Sequence, residues 1–301
     1  MTYGWIIYNG TLPGDKFLDF AEWLQTAANK AGSRADIIKN NDLFVSMQTA
    51  ELSLLGHNNL DQPDYVIFTD KDLYLARQLE LLGIPVFNSA RSIEISDDKI
   101  ATHQALALSK LPMPDTIAAP KTFLSESPVN ENMLSLAADK LGFPMIVKEA
   151  FGSFGQQVYL IQDMDELREK VKEIGGKPFM FQEFVKTSSG VDLRLQVAGD
   201  QVVAAMKRTA VGDFRANVTN GGKMAPHTPT ESEKKLAIAA VKAIGADFAG
   251  VDLLYGNGGS PLVCEVNSNA HIHNLYDCTG INAADYIVQD LLKKTAERKL
   301  K

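Results

Sequence analysis

The apolar and polar stretches of the chain alternate on a short scale. Residues 3–9 hold the dense apolar run Trp5-Ile6-Ile7-Tyr8 and read as a strand, followed by a loop through Pro13. Phe17, Phe20, Ala21, Leu24, Ala27 and Ala28 then recur at helical spacing. Further short apolar strands are predicted at 35–38, 65–68 and 84–87, with a helix over 73–82 that Gly83 closes. Short apolar strands separated by helices predict a parallel sheet covered on both faces. Residues 1–95 therefore read as one α/β unit.

The pattern changes after residue 95. Ser96 is placed to cap a helix over 97–109, which Leu111-Pro112-Met113-Pro114 ends, because proline lacks an amide donor and restrains the residue before it. A loop at 125–130 leads to a helix ending near Leu141-Gly142. Strands are predicted at 143–149, 158–161 and 179–185. Asp163-Met164-Asp165-Glu166 has the form of a capping box. Residues 193–198 and 202–206 flank Gly199-Asp200 as a hairpin. Thr228-Pro229-Thr230-Glu231 supplies an N-cap, a first-turn proline and a box glutamate for a helix over 229–245, with Glu233 on its surface. Residues 251–255 and 262–266 flank a glycine-rich turn, and a last helix follows Asn282. The chain carries no internal repeat and no low-complexity tract.

Composition narrows the functional classes. Hydrophobic residues make up 45% of the 301, enough to build substantial cores. The net charge is −7 with no Lys/Arg run, which argues against general nucleic-acid binding but leaves room for a local phosphate site. Cys264 and Cys278 lie in no zinc spacing and read as reduced thiols of a cytoplasmic enzyme. No apolar run approaches the ~20 residues of a membrane span, and the start lacks the basic and apolar regions of a signal peptide. Without such a signal, the sequons Asn9-Gly10-Thr11 and Asn217-Val218-Thr219 read as coincidence.

Three clusters carry candidate chemistry. Lys148 ends the apolar strand Pro144-Met145-Ile146-Val147-Lys148, and Gly152-Ser153-Phe154-Gly155 follows. A lone strand-end lysine usually meets solvent, but glycines let backbone amides approach phosphate, and the serine adds a donor. This is not a Walker motif, which needs Gly-Lys-Ser/Thr opening a helix. Asp252, Glu265 and Asn267 form the second cluster. The i, i+2 spacing puts Glu265 and Asn267 on one strand face, and a hairpin partner brings Asp252 beside them. Isolated, such residues are more often polar strand positions. Together their oxygens suit magnesium shared with phosphates. The third cluster runs from Lys207-Arg208 through Gly212-Asp213-Phe214-Arg215-Ala216-Asn217 to Gly221-Gly222-Lys223. Arginine grips carboxylate or phosphate with two parallel hydrogen bonds, and the glycines fit a loop that closes over substrates. An ordinary solvated loop is the plainer alternative.

The ordered set resembles the ATP-grasp carboxylate–amine ligases, in particular the RimK-type α-L-glutamate ligases. The pieces are Asp98-Lys99, Ile146-Val147-Lys148, Gly152 to Gly155, Gln182-Glu183-Phe184-Val185, Gly190-Val191-Asp192-Leu193-Arg194, the 212–217 run, Gly221-Gly222, Ala249-Gly250-Val251-Asp252, Glu265-Val266-Asn267 and Thr279-Gly280-Ile281-Asn282. The likeness covers about 96–290. It implies an ATP-grasp fold: an N-terminal parallel-sheet α/β domain at 1–95, then two α+β lobes clamping ATP, a linker helix and first lobe at 96–185 and a second lobe with the metal site at 186–301. ATP would meet Lys99, Lys148, Gly152, Ser153, Gln182, Glu183, Phe184, Val185, Asp192, Arg215, Ala216 and Asn217. Arg215 and Lys207 would serve catalysis. Asp252, Glu265 and Asn267 would hold magnesium, with manganese as the alternative ion. The implied reaction phosphorylates a carboxylate and passes the acyl group to an amine, one of the two substrates being an amino acid. The resemblance also admits a homo-oligomer.

The run after Asn267 departs from the family pattern of a small residue and then proline and glycine. It reads Ser268-Asn269-Ala270-His271-Ile272-His273. These two histidines are read either as substrate contacts or as exposed loop residues.

Overall fold

The computed structural model describes residues 2–56, 61–122, 129–152, 155–216 and 222–300. Ser153, Phe154, Asn217 and Gly221, and most of the 125–130 loop, lie outside the described residues.

The N-terminal sheet is parallel, in the order β2(Arg34–Lys39), β1(Tyr3–Tyr8), β5(Tyr65–Thr69), β6(Val86–Phe87). Successive side chains of β1 serve opposite faces. Ile6 and Tyr8 pack on Phe20 and Leu24 of α1(Lys16–Lys30) and on Ile287 and Leu291 of α9(Ala283–Lys299). Trp5 and Ile7 pack on Leu75 and Leu79 of α2(Leu73–Leu81) and on Ile93 of α3(Ala90–Asp97). The final helix thus closes the core of the first unit rather than staying with the residues before it. Phe248 from the C-terminal sheet joins the same core, so the expected boundary at 95 does not mark an independent core.

Two antiparallel sheets follow. The first has the order β7(Thr116–Ala118), β10(Phe179–Glu183), β8(Met145–Glu149), β9(Val158–Ile161). It is backed by α5(Glu131–Leu141) and α6(Met164–Ile174), whose Leu134, Leu167 and Val171 pack on Met145, Val147, Phe179 and Phe181. The second has the order β13(Lys223–Pro226), β12(Gln201–Thr209), β11(Val191–Ala198), β14(Phe248–Tyr255), β15(Pro261–Asn267). Helix α7(Glu231–Ala243) covers it through Leu236, Ala237 and Ala240. No helix among the described residues is long and apolar enough to cross a membrane.

Four local readings need correction. The helix expected over 97–109 is α4(Lys99–Leu108), which Asp98 separates from the preceding helix α3. Ser89 caps α3, and the Asp98 carboxylate accepts from the amides of Ile100 and Ala101 at 2.8 and 3.2 Å, so aspartate rather than Ser96 starts the second helix. The α7 cap is Thr230, not Thr228, and its box partner is Glu233, not Glu231. Glu233 is only 5% exposed. It accepts from the Thr230 amide at 2.7 Å and meets His227 at 2.9 Å, so the surface position expected for it is wrong. In the 163–166 box, Glu166 reaches back to Gln162 instead of the cap residue itself. The hairpin of β3(Phe44–Gln48) and β4(Glu51–Leu55) and the helix α8(His273–Thr279) were not predicted; the helix, at 7 residues, is too short for periodicity to register.

Candidate active site

The two antiparallel sheets turn their uncovered faces toward one another. On β8, Met145 and Val147 enter the helix-backed core, so Ile146 and Lys148 point the other way. Lys148 is buried, and its Nζ donates to Cys264 Sγ on β15 at 3.7 Å, spanning the cleft. Lys99, the first residue of α4, enters from the side because Asp98 starts the helix there. Its amide donates to the Ala150 carbonyl at 2.9 Å, and its Nζ to the Gly152 carbonyl at 2.9 Å. Gly152 sits at φ +127°, a conformation that suits glycine. Burial holds the Lys99 ammonium below its usual range. Glu265 pulls it upward and Lys148 pushes it further down, so these three charges share one space. An anion between the lysines would relieve both.

Gln182 does not face the cleft as a free amide. Its Nε2 donates to His103 Nε2 and to Thr116 Oγ1, each at 2.8 Å. His103 Nδ1–H in turn donates to the Lys99 carbonyl at 2.8 Å, so the ring is neutral and acts as a strut behind Lys99. Burial, reinforced by Lys148, pushes the His103 pKa down to about 4. Glu183 ends β10, and Phe184 and Val185 carry the chain on from it between the lobes. The Glu183 amide donates to the Asp115 carbonyl at 2.8 Å, and Phe184 meets Phe214 edge-on at 6.3 Å.

The second sheet carries a ladder of alternating charge. Asp192 and Arg194 share one face of β11 by their i, i+2 spacing, and each has an opposite charge as its cross-strand partner: Arg208 on β12 and Asp252 on β14. Arg208 meets both Asp192 oxygens, at 2.7 and 2.5 Å, and also reaches Asp252 at 2.9 Å. Arg194 meets both Asp252 oxygens, Nη2 to Oδ2 at 2.8 Å. Burial raises the Asp192 pKa to about 6 against the pull of Arg208. For Asp252, burial is outweighed by Arg194 and Arg208, and its pKa falls. Gly250 makes room for this grip, since a Cβ there would stand 2.5 Å from Ala270 and 3.1 Å from Arg194.

Lys207 is in the wrong place for the catalytic role expected of it. It pairs with Leu193, whose side chain lies in the α7-covered core, and so belongs to the face opposite Arg208. Arg215 is at the mouth of the cleft, where it grips Asp213 and donates to the Gly155 carbonyl at 2.8 Å, joining the two loops it lies between. Ala216 is buried beside it.

Asp252 and Glu265 are direct partners across β14 and β15, and Asn267 lies opposite Gly250. A bulge beside Asp252 leaves Cys264 as the extra residue. The buried Asn267 Nδ2 has no hydrogen-bond partner among the described residues. Among them, no three His, Cys, Asp or Glu side chains gather closely enough to hold a metal alone. The donors present are two carboxylates and an amide, which fits an ion that takes the rest of its shell from phosphate.

Of the two histidines, His273 opens α8 and is exposed, with Nδ1 2.9 Å from Asp19, which raises its pKa. His271 is largely buried, its ring 5.1 Å from that of Phe17. Burial, together with Lys16, lowers its pKa to about 4. Sequence reading gave no role to His103 or to the ladder pairing of Arg194 and Arg208. The i, i+2 alternation Asp192-x-Arg194 was the available signal for the ladder, while nothing local marks His103.

Residues 96–291 match the RimK-like ATP-grasp domain. A probable alpha-L-glutamate ligase 1 of Shewanella sp. (strain W3-18-1) is 33% identical over 286 residues, 92% of each chain. Its counterpart from Shewanella sp. (strain ANA-3) is 37% identical with the same coverage. Among solved structures, the D-alanine–D-alanine ligase of Bacillus anthracis complexed with ATP superposes with a TM-score of 0.72 at 20% identity, covering 99% of this chain and 100% of that one. The ATP-grasp ligase PsnB, complexed with a precursor variant, Mg and ADP, gives 0.70 at 17% identity, covering 98% and 99%. Those two likenesses carry the fold. With the domain match and the relatives, they make this chain a member of the RimK-like ATP-grasp family of carboxylate–amine ligases.

Proposed function

We propose that this chain is a cytoplasmic, ATP- and magnesium-dependent ligase that activates a carboxylate as an acyl phosphate and transfers it to an amine. The observation that carries this reading is the charge layout of the cleft: Lys99 and Lys148 stand on one wall, facing Glu265 on the other. Phosphates fit between such lysines, and the carboxylates opposite would hold a metal that offsets phosphate charge.

In this reading the main chain of Glu183, Phe184 and Val185 takes the adenine. Asp192, held rigid by Arg208, presents its remaining lone pairs to the ribose. Gly152, Ser153, Ala216 and Asn217 border the phosphates. Asp252, Glu265 and Asn267 hold magnesium, which neutralises charge on the phosphates when bound. Arg215 leaves Asp213 to grip the reacting carboxylate, and preorganised positive charge there favours the transition state. The γ-phosphate passes to the carboxylate oxygen and ADP leaves. The amine attacks the acyl carbon, phosphate departs, and one proton is released. Glutamate is the first amino acid to test, from the names of the Shewanella relatives.

Hydroxylamine tests the route. With ATP and the true carboxylate it should yield a hydroxamate together with ADP. Release of pyrophosphate instead means adenylation and overturns the acyl-phosphate reading. A second reading, a nucleotide-binding module without turnover, is favoured by the grip of two arginines on Asp252. Absence of ADP release across acid and amine panels would support it.

A further inference from the structure

The N-terminal sheet reverses its strand order between β1 and β5, since β2 and β5 lie on opposite sides of β1. In open α/β sheets, ligands lodge outside the carboxyl ends of the strands at such a reversal. Here that edge is formed by Asn9, after β1, and Asp70, after β5, just beyond the pair Tyr8 and Thr69. Asn9 Nδ2 donates to Asp70 Oδ1 at 3.1 Å. Asp70 is only 5% exposed, yet its Oδ2 has no hydrogen-bond partner among the described residues.

A second orphan comes from the C-terminal side of the chain. Asn269, on the loop after β15, donates its Nδ2 to the Thr69 carbonyl, which ties it to the residue next to Asp70. Its Oδ1 is also buried without a partner among the described residues. A buried acceptor left unmet is destabilising, and more so if it is charged. Two unmet acceptors, one of them anionic, call for a ligand that is both a donor and a cation. An ammonium is both.

The same loop points toward the reaction centre. His271 stands two residues after Asn269, with its ring 5.1 Å from that of Phe17, the neighbour of Lys16, and a Cβ at Gly250 would meet both Ala270, at 2.5 Å, and Arg194, at 3.1 Å. Arg194 grips Asp252. The loop therefore runs from the acceptor oxygen of Asn269, tied to the residue beside Asp70, to the cations Lys16 and Arg194, a polarity that suits a zwitterion.

We infer that Asp70 Oδ2 and Asn269 Oδ1 receive the ammonium group of an α-amino acid substrate, with its carboxylate toward Lys16 and Arg194. This rests on the ligase reading only in calling the ligand a substrate. The departure from the family pattern after Asn267 is what supplies Asn269.

Equilibrium binding tests it without turnover. Free L-glutamate, L-lysine and glycine, each with its N-acetyl form, are titrated into the whole protein in the presence of ADP and magnesium. At least one free amino acid should bind at least about tenfold tighter than its acetylated form. Asp70→Asn keeps the Asn9 contact but removes the charge. It should abolish that preference, leave ADP binding unchanged and raise the Tm of the unliganded protein, a combination that a merely structural carboxylate would not produce. Equal binding of free and acetylated forms, a preference that survives in Asp70→Asn, or no binding of any member would overturn the assignment. Discriminating binding without hydroxamate or ADP formation would sink the ligase reading and leave the ammonium site standing.

Discussion

Arg194 and Asp252 stand directly opposite each other on β11 and β14, and the guanidinium meets both oxygens of the carboxylate while Arg208 takes the same group from β12. This separates two substitutions that the sequence treats alike. Glu265→Gln should lower magnesium-dependent turnover by orders of magnitude and leave the fold intact. Asp252→Asn should lower turnover too, but should also destabilise the protein by about 3–5 kcal/mol, because it leaves two arginines without their shared anion. Urea unfolding and ADP release on both variants check this. Glu22→Gln, on the exposed side of α1, is the control and should change neither. Full turnover in Glu265→Gln would remove the metal assignment.

Lys148→Ala should weaken ATP binding at least about tenfold, since a buried cation facing the cleft is lost while β8 keeps its core contacts. Calorimetry reads this directly. Unchanged affinity takes Lys148 out of the nucleotide site.

His103 predicts a pH dependence of stability. Its pKa is depressed in the folded state to about 4, below the usual 6.5, so the unfolded chain binds the proton first as pH falls. Its contribution is complete above pH 6.5 and is lost as pH drops from there to 4, by about 3 kcal/mol at most. Denaturant unfolding of the wild type should therefore fall more steeply over that window than that of His103→Gln, which cannot titrate. Parallel curves would refute the strut.

Glu233→Ala should cost about 1–2 kcal/mol, because it removes the reciprocal half of the α7 cap and leaves the Thr230 amide without its acceptor. A shift of the urea midpoint with an unchanged slope would register it. An unchanged midpoint would mean that water replaces the carboxylate.

Local sequence determined much of this protein. The spacing of Phe20, Leu24, Ala27 and Ala28 dictates α1, and the apolar centre of β1 dictates a strand buried on both faces, because each period allows only one element to hide those side chains. The order of the Lys148, Asp192, Asp252, Glu265 and Asn267 motifs is enough by itself to point to the family. Tertiary structure decided the rest. Lys207 and Arg208 are equivalent in the sequence, and only the β11–β12 register turns the arginine toward Asp192 and the lysine away. Glu233 looks like a surface glutamate until His227 and the Thr230 amide close over it. The meeting of Asn269 with the Thr69 carbonyl, 200 residues away, depends on how two sheets pack. Periodicity encodes which face of an element is buried, but what that face meets is fixed only when distant elements come together.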